Sequence, residues 1–301
     1  MTAQLCRRTL YGDADREVTL AIRLVLVLAA LVVWIHREQI DEYIAALWDV
    51  LLHHKSCWWF RHDSWEPCLS VATFAVTIGA WFHLEMSVSP RWLTVRHYLD
   101  KHRIATDGSD LTAWDDDKRV SNETMWYIGP LLLFDVAFPR RYVLLDDHPS
   151  APTLAGLMGG VAMSLLLFDL FFFCGHWCAH RLLAAAPASW LHGRHHSANN
   201  IRAGDAIRHS FLDGSFDVVC SVLALKVART HPLTRSIYNL VAIYLITEAH
   251  CGFDCPWMLH RVVPMQAVAG PRRHDLHHRR GSVNFQKFLT YLDAACGTSA
   301  Q

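Results

Sequence analysis

Several things are missing from this chain, and each absence removes a class of function. Its 301 residues contain no internal repeat and no low-complexity tract, so its length fits one large domain or two small ones. Formal charge sums to zero, with 28 Lys+Arg against 28 Asp+Glu, and there is no basic tail or interleaving of aromatic with basic residues. Nucleic acid is therefore not an expected partner. The nine cysteines form no C-x-x-C pair, no zinc-finger spacing and no disulfide framework. Cys174/Cys178 and Cys251/Cys255 are i, i+4 pairs in apolar helix-like sequence and read as ordinary buried thiols. No haem, flavin or Rossmann signature is present, so any redox chemistry must draw its electrons from elsewhere.

What is present is apolar and blocky. Hydrophobic residues make up 52% of the chain, and they gather at 18–35, 68–84, 124–138 and 154–174, with shorter blocks at 211–227 and 237–249. The block at 154–174 is the clearest, at about the 20 residues needed to cross a bilayer core. The first block lacks a small-residue cleavage site and is followed by Trp34, His36 and Arg37, so it reads as a retained anchor. Trp34, Trp58, Trp59, Trp65, Trp81, Trp126, Tyr127 and Trp177 lie near block ends, as in an interfacial aromatic belt. The expected fold is all-α and polytopic, with about four to six transmembrane helices. Residues 1–150 supply membrane anchors and 151–301 a catalytic domain. The last two blocks could equally form a re-entrant hairpin, and the charge bias between the two sides is weak.

Twenty histidines are many for such a chain, and their spacing is not scattered. His176 and His180 lie at i, i+4 at the end of the fourth block, where one helical face can present both to a single ion. His192, His195 and His196 follow as H-x-x-H-H, with His195 and His196 splayed to either side of one turn. His250 closes the sixth block, and His274, His277 and His278 repeat H-x-x-H-H. All nine are expected on one membrane face. Nine imidazoles exceed the four ligands of a zinc site and suit two metals with open positions. Imidazole accepts iron, zinc, copper or nickel, and the spacing does not choose among them. Others, such as His36, His53, His54, His62, His83, His97, His102 and His148, read as ordinary surface or core residues. Asp169 lies seven residues before His176, inside an apolar span, where a carboxylate signals function. Its expected job is to accept the N–H of a ligating imidazole. Asp135, in the third block, could bind a substrate hydroxyl or pair with Arg140.

H-x-x-x-H followed by two H-x-x-H-H triples at the ends of membrane blocks resembles the fatty acid hydroxylase/sterol desaturase superfamily of membrane di-iron enzymes. The resemblance runs from about residue 165 to the end. LLLFDLFFF before the first box, THPLT at 230–234, HCGFDCPWMLHRVVP at 250–264, NF at 284–285 and the terminal YLDAACGT look like the branch of cholesterol 25-hydroxylase and the C-4 methylsterol oxidases. The resemblance implies that His176, His180, His192, His195, His196, His250, His274, His277 and His278 hold two irons. Asp254, at i+4 from His250, would be a ligand or would support one, and His231 and His260 match recurrent positions. Arg181 and the run Arg279, Arg280, Gly281 depart from the common pattern beside the boxes.

The implied activity is O2-dependent hydroxylation of an apolar, lipid-like substrate, with a sterol or similar polycycle favoured. Electrons would come from NAD(P)H through cytochrome b5 or a reductase, at the endoplasmic reticulum, with the metal face in the cytosol. Phe171, Phe172, Phe173 and Trp177 could line the access route, though packing is their ordinary role. Desaturation or demethylation by the same chemistry, and a zinc-binding transporter or structural metal protein, are the alternative readings.

Overall fold

The computed structural model describes residues 2–86, 90–104, 129–130, 132–134, 137–139, 141–182, 192–193, 195–197 and 201–300. Asp135, Arg140, Trp126 and Tyr127 lie outside the described residues. The longer helices are α1 (Thr2–Ile35), α2 (Arg37–His53), α3 (Trp65–Met86), α4 (Pro90–Lys101), α5 (Leu154–Leu182), α6 (Phe211–Val227), α7 (Pro232–Ala249) and α8 (Pro271–Arg280). The described residues hold no strand, and pairing is limited to isolated bridges at Arg103–Phe253 and Val268–Leu289. The fold is all-α, as the block pattern implied.

Among the described residues, three helices are long and apolar enough to cross a membrane: Gly12–Ile35, Trp65–Glu85 and Leu154–Arg181. The protein is a membrane protein. α1 leaves Leu24, Val27, Leu31 and Ile35 exposed, a surface suited to lipid. One polar stripe on it does face protein. Asp15 meets His102 Nε2 at 3.1 Å, Thr19 donates to the Pro256 carbonyl, and Arg23 donates to the carbonyls of Val262 and Arg261. These residues recur every fourth position, so one helical face meets His102 and clamps the segment that follows His250.

The blocks at 211–227 and 237–249 become α6 and α7, joined by the short connection at 228–231. Ser210 caps α6 by accepting the Asp213 N–H. α7 begins with Pro232 in its first turn, and the His231 ring accepts the Leu233 N–H. α7 is the most buried of these helices, packed along α3 and α5. Helices within a bilayer gain little from the hydrophobic effect and depend on close packing instead. Gly175 shows this: a Cβ there would collide with the Phe216 ring of α6. One expectation is corrected here. Cys251 and Cys255 are buried thiols, but Cys174 is exposed and Cys178 half-buried, because that face of α5 turns outward.

Candidate metal centre

Three helix ends converge at one place. α5 ends in His176 and His180, and α7 delivers His250 as its C-terminal cap. The start of α6 arrives from the same side, preceded by the turn containing His192, His195 and His196. α8 lies across them with His274, His277 and His278. It is stopped by Gly281 in the left-handed conformation (φ 62°), whose N–H reaches the His277 carbonyl at 2.7 Å.

The nine histidines form two groups. His176, His180, His192, His196 and His277 make one; His195, His250, His274 and His278 make the other. His195 and His196, adjacent in sequence, go to different groups, their rings 5.8 Å apart and nearly perpendicular. The groups adjoin, with the His196 and His278 rings 4.6 Å apart.

The proton positions decide what this arrangement can do. His176 donates through Nδ1 to the Phe285 carbonyl at 2.8 Å. His192 does so to the Asp213 carboxylate, His196 to the His278 carbonyl, His250 to the Ile246 carbonyl and His277 to the Val283 carbonyl. A carbonyl or carboxylate oxygen only accepts, so each Nδ1 carries the proton and each neutral ring keeps a bare lone pair on Nε2. Those of His176, His192 and His196 point at one another, and that of His250 points at its neighbours' Nε2 atoms. His176 Nε2 lies 2.9 Å from His192 Nε2, and His192 Nε2 lies 3.0 Å from His196 Nε2. In the other group His250 Nε2 lies 2.8 Å from His274 Nε2 and 3.4 Å from His195 Nε2. His277 Nε2 is buried without a hydrogen-bond partner. Facing lone pairs repel unless a cation lies among them. Metal–imidazole bonds of about 2.1 Å put neighbouring nitrogens about 3.0 Å apart at right angles and about 3.4 Å apart in a tetrahedron. The observed spacings, 2.8–3.4 Å, lie in that range or about 0.2 Å short of it, so the residues fit two metal ions.

Burial keeps the rings in the metal-binding form. It holds His195, His274, His277 and His278 far below the usual imidazole range, and neighbouring imidazoles push the same way. His250 is pushed down to about 3 and His196 to about 4, with burial as the leading cause. All are neutral at pH 7, as metal binding requires.

A fatty acid hydroxylase family profile matches residues 161–298. The Danio rerio protein "Cholesterol 25-hydroxylase-like protein 1, member 2" is 35% identical over 269 residues, 86% of this chain and 91% of that protein. The chain belongs to the fatty acid hydroxylase family. Cholesterol 25-hydroxylase of Mus musculus is 34% identical over 152 residues, 49% of either chain. That of Homo sapiens is 31% identical over 180 residues, 57% of this chain and 61% of that protein. No solved structure matches. The chain is thus an oxidoreductase, a lipid hydroxylase of this superfamily with a metal-binding site.

The carboxylates of this hydroxylase are arranged otherwise than its sequence suggested. Asp169 touches no imidazole. It accepts the backbone N–H groups of Lys287, Phe288 and Leu289 and the Gln286 side-chain amide. The reason is distance: seven residues of α-helix separate it from His176 by about 10 Å, beyond hydrogen-bond reach. It acts one step further back, fixing the loop whose Phe285 carbonyl orients His176. Asp254 lies in neither histidine group. It binds His260 Nε2 at 2.9 Å, Arg261 and Arg272, and its bonds to His260 and Arg261 hold its carboxyl well below the usual range, outweighing burial. His260 therefore acts through that ion cluster. His231 caps α7 at the end opposite His250, about 28 Å away at 1.5 Å per residue, its ring 4.3 Å from that of Trp48. Phe172 and Phe173 are buried, Phe171 is half-buried and Trp177 is exposed.

The job expected of Asp169 belongs to Asp213, which accepts His192 Nδ1 at 3.0 Å and His209 Nδ1 at 2.9 Å. His209 stacks on His195, with ring centres 4.8 Å apart and planes 9° from parallel. Its Nε2 faces the Ala206 carbonyl, so both ring nitrogens donate and the ring is an imidazolium. Burial opposes that charge, and Asp213 outweighs it, raising the pKa. Lys287 and Asp217 complete the layer with a buried ion pair at 2.6 Å. A signal for these residues was available: Asp213 and Asp217 are acids in an apolar block, the same feature that drew attention to Asp169.

Proposed function

We propose that this hydroxylase is a membrane non-haem di-iron oxygenase, inserting one oxygen atom of O2 into an unactivated C–H bond of an apolar lipid. The observation that carries the reading is the pair of adjoining groups of neutral nitrogen donors with Nε2 lone pairs converging in each. The nine contain no thiolate and no carboxylate, and a group of five exceeds the zinc tetrahedron. Iron bound here would supply the activation of O2, chemistry that no side chain offers.

The chain's own residues do the rest. His176, His180, His192, His196 and His277 would hold one ion, and His195, His250, His274 and His278 the other. Phe285, Val283, Ile246, His278 and Asp213 hold protons on Nδ1 atoms and so keep Nε2 free. Phe172 and Phe285 pack on the His176 ring with centres 4.7 and 5.8 Å away, which excludes water from the apolar side. His180 and His196 are only half-buried and mark the open side. Electrons reach that side from NAD(P)H through cytochrome b5 or a reductase, with the site facing the cytosol from the endoplasmic reticulum membrane. The names of the relatives favour a sterol or a similar rigid polycycle as substrate.

The test is metal content per chain after gentle extraction. About two irons are expected, with both sites weakened in His195→Ala/His196→Ala, since one residue is lost from each group. Stoichiometric zinc with no iron under iron-replete anaerobic expression would replace this reading with a structural or transport role.

A further inference from the structure

Residues 256–266 form a short irregular segment between His250 and His274, two histidines of one metal group. Its only regular structure is a single helical turn, Leu259–Val262, and a tighter one at Pro264–Gln266. Its apolar side chains divide. Met258 and Val262 are buried, whereas Trp257 and Leu259 are exposed and Met265 is 90% exposed. The tip that carries Met265 has an uncommon backbone, with Met265 at φ 61° and Gln266 at φ 54°. Left-handed backbone is rare for bulky side chains, and where it persists it points to a function. A methionine held outward in this way is out of place in water.

α1 sets the height of this segment in the membrane. Apart from Thr19 and Arg23, α1 is apolar from Val18 to Ile35. That stretch is about 27 Å long at 1.5 Å per residue, close to the roughly 30 Å of a bilayer core. Exposed Trp34 marks its far end. Thr19 therefore lies at the near edge of the core, and Arg23 about 7 Å inside it. These two side chains hold the segment. Thr19 donates to the Pro256 carbonyl at 3.0 Å, and Arg23 to the carbonyls of Val262 and Arg261 at 2.8 Å each. Both partners gain at that depth. A guanidinium facing lipid is costly, and irregular backbone is tolerated in a bilayer only where protein satisfies its polar groups. Past Arg23, every residue of α1 up to Ile35 is exposed.

We propose that residues 256–266 lie in the plane of the membrane, with Trp257, Leu259 and Met265 inserted among the acyl chains of the leaflet on the metal-centre side. The depth agrees. In-plane elements bury their apolar face about 5–10 Å into the boundary between headgroups and acyl chains, and the Arg23 clamp lies within that layer. The charges agree as well. Arg261, next to Leu259 and Met265, is half exposed with its guanidinium on buried Asp254, and Arg272 reaches the same carboxylate from an exposed position. Long cations of this kind keep their heads at headgroup level while their stems lie along apolar surface. Trp257 stacks on Tyr98 with ring centres 5.5 Å apart, an aromatic pair suited to the interface. The chain enters the segment from His250 and leaves it toward His274, so the leaflet supports the four-histidine group together with α7 and α8. The proposal depends neither on the metal nor on the reaction.

The test is tryptophan quenching in the full-length protein reconstituted into phosphatidylcholine vesicles. Brominated lipid quenches from within the bilayer, with the bromines placed either near the glycerol or near the methyl end of the chains. Iodide quenches from water. Twelve tryptophans share the signal, so each reporter is read as a difference: wild type minus Trp257→Phe for one, and Met265→Trp minus wild type for the other. Each difference signal should fall about twofold with shallow bromines, the depth at which in-plane elements lie, less with deep bromines, and not with iodide. The reporters are independent, so one stands if the other variant does not fold. Quenching by iodide instead of brominated lipid puts the segment in water and overturns the proposal. Quenching by neither means that protein covers it, as a second copy of the chain would, and overturns the proposal equally. Stronger quenching by deep than by shallow bromines removes the in-plane placement. Any one of these results from either reporter is enough.

Discussion

Asp213 offers the sharpest test of how the metal centre is held. Its carboxylate fixes the proton of His192 on Nδ1 at 3.0 Å and bonds His209 at 2.9 Å. Replace it with alanine and nothing prevents the His192 proton from moving to Nε2. There it would point at His176 Nε2, 2.9 Å away, and His196 Nε2, 3.0 Å away. That proton sits where the ion must sit. Loss of such a partner weakens metal binding about 10–100-fold, or about 1.4–2.7 kcal/mol. Asp213→Asn should behave differently. The amide oxygen still accepts from His192, and its NH2 can donate to His209 once that ring gives up its extra proton. Asparagine should therefore stay within about tenfold of wild type, on the retaining side of that range. The assay is iron retained against a graded series of chelator, with a thermal melt to confirm that each variant folds. A folded Asp213→Ala protein whose iron affinity matched wild type would refute the reasoning, because tautomer control would then not matter to this site.

Removing His250 leaves three nitrogens in its group, whereas removing His277 leaves four in the other; mass-spectrometric metal counts should show His250→Ala falling to about one ion per chain and His277→Ala losing less. Asp169→Asn should spare the metal but loosen the fold. An amide cannot accept from all three backbone N–H groups, and each one left unsatisfied costs about 1–3 kcal/mol, so the melting temperature should drop while iron per folded chain stays level. Metal-free protein should lose stability in acid. His196 at about 4 and His250 at about 3 in the native state lie below the ordinary value of about 6.5 in the unfolded chain. The unfolded chain thus binds more protons below about pH 6.5. Melting temperature should be flat from pH 8 to 7 and then fall toward pH 4; a rise on acidification would contradict the buried, neutral assignment.

Which parts of this site were legible in the sequence follows from distance along the chain. His176 and His180 share a helical face, and the H-x-x-H-H triples fit on single turns, so i, i+3 and i+4 spacing revealed them without any knowledge of the fold. The division into groups of five and four was not legible. It depends on His195 and His196 leaving one turn in opposite directions and on which helix ends meet them. The carboxylates show the limit from the other side. Asp169, seven residues before His176, lies on roughly the same helical face, yet within a helix only neighbours three or four apart touch. Asp213 reaches His192 from a different element, 21 residues on, and no periodicity reports that.

The terminal motifs gain a physical account from the same network. NF at 284–285 and the aspartate of YLDAACGT are not ligands, and their likeness to the family could be mistaken for mere ancestry. Asp293 accepts the backbone N–H groups of Phe285 and Gln286 and the Thr298 hydroxyl. Asn284, at a positive φ of 56°, ties Arg273 of α8 to Ala300 through its side chain. Asp169 takes the next three backbone N–H groups. Two buried carboxylates thus clamp five consecutive N–H groups, from Phe285 to Leu289, and the one carbonyl that matters, that of Phe285, is left aimed at His176. A loop at a membrane surface is ordinarily mobile. This one must hold an imidazole tautomer, and the chain immobilises it with acids placed where desolvation would be costly without those amide partners. The same logic explains why the histidines sit at helix ends. There, rings from α5, α7 and α8 meet the turn before α6 at one point, and free backbone carbonyls such as Ile246 and Phe285 are at hand to take their protons.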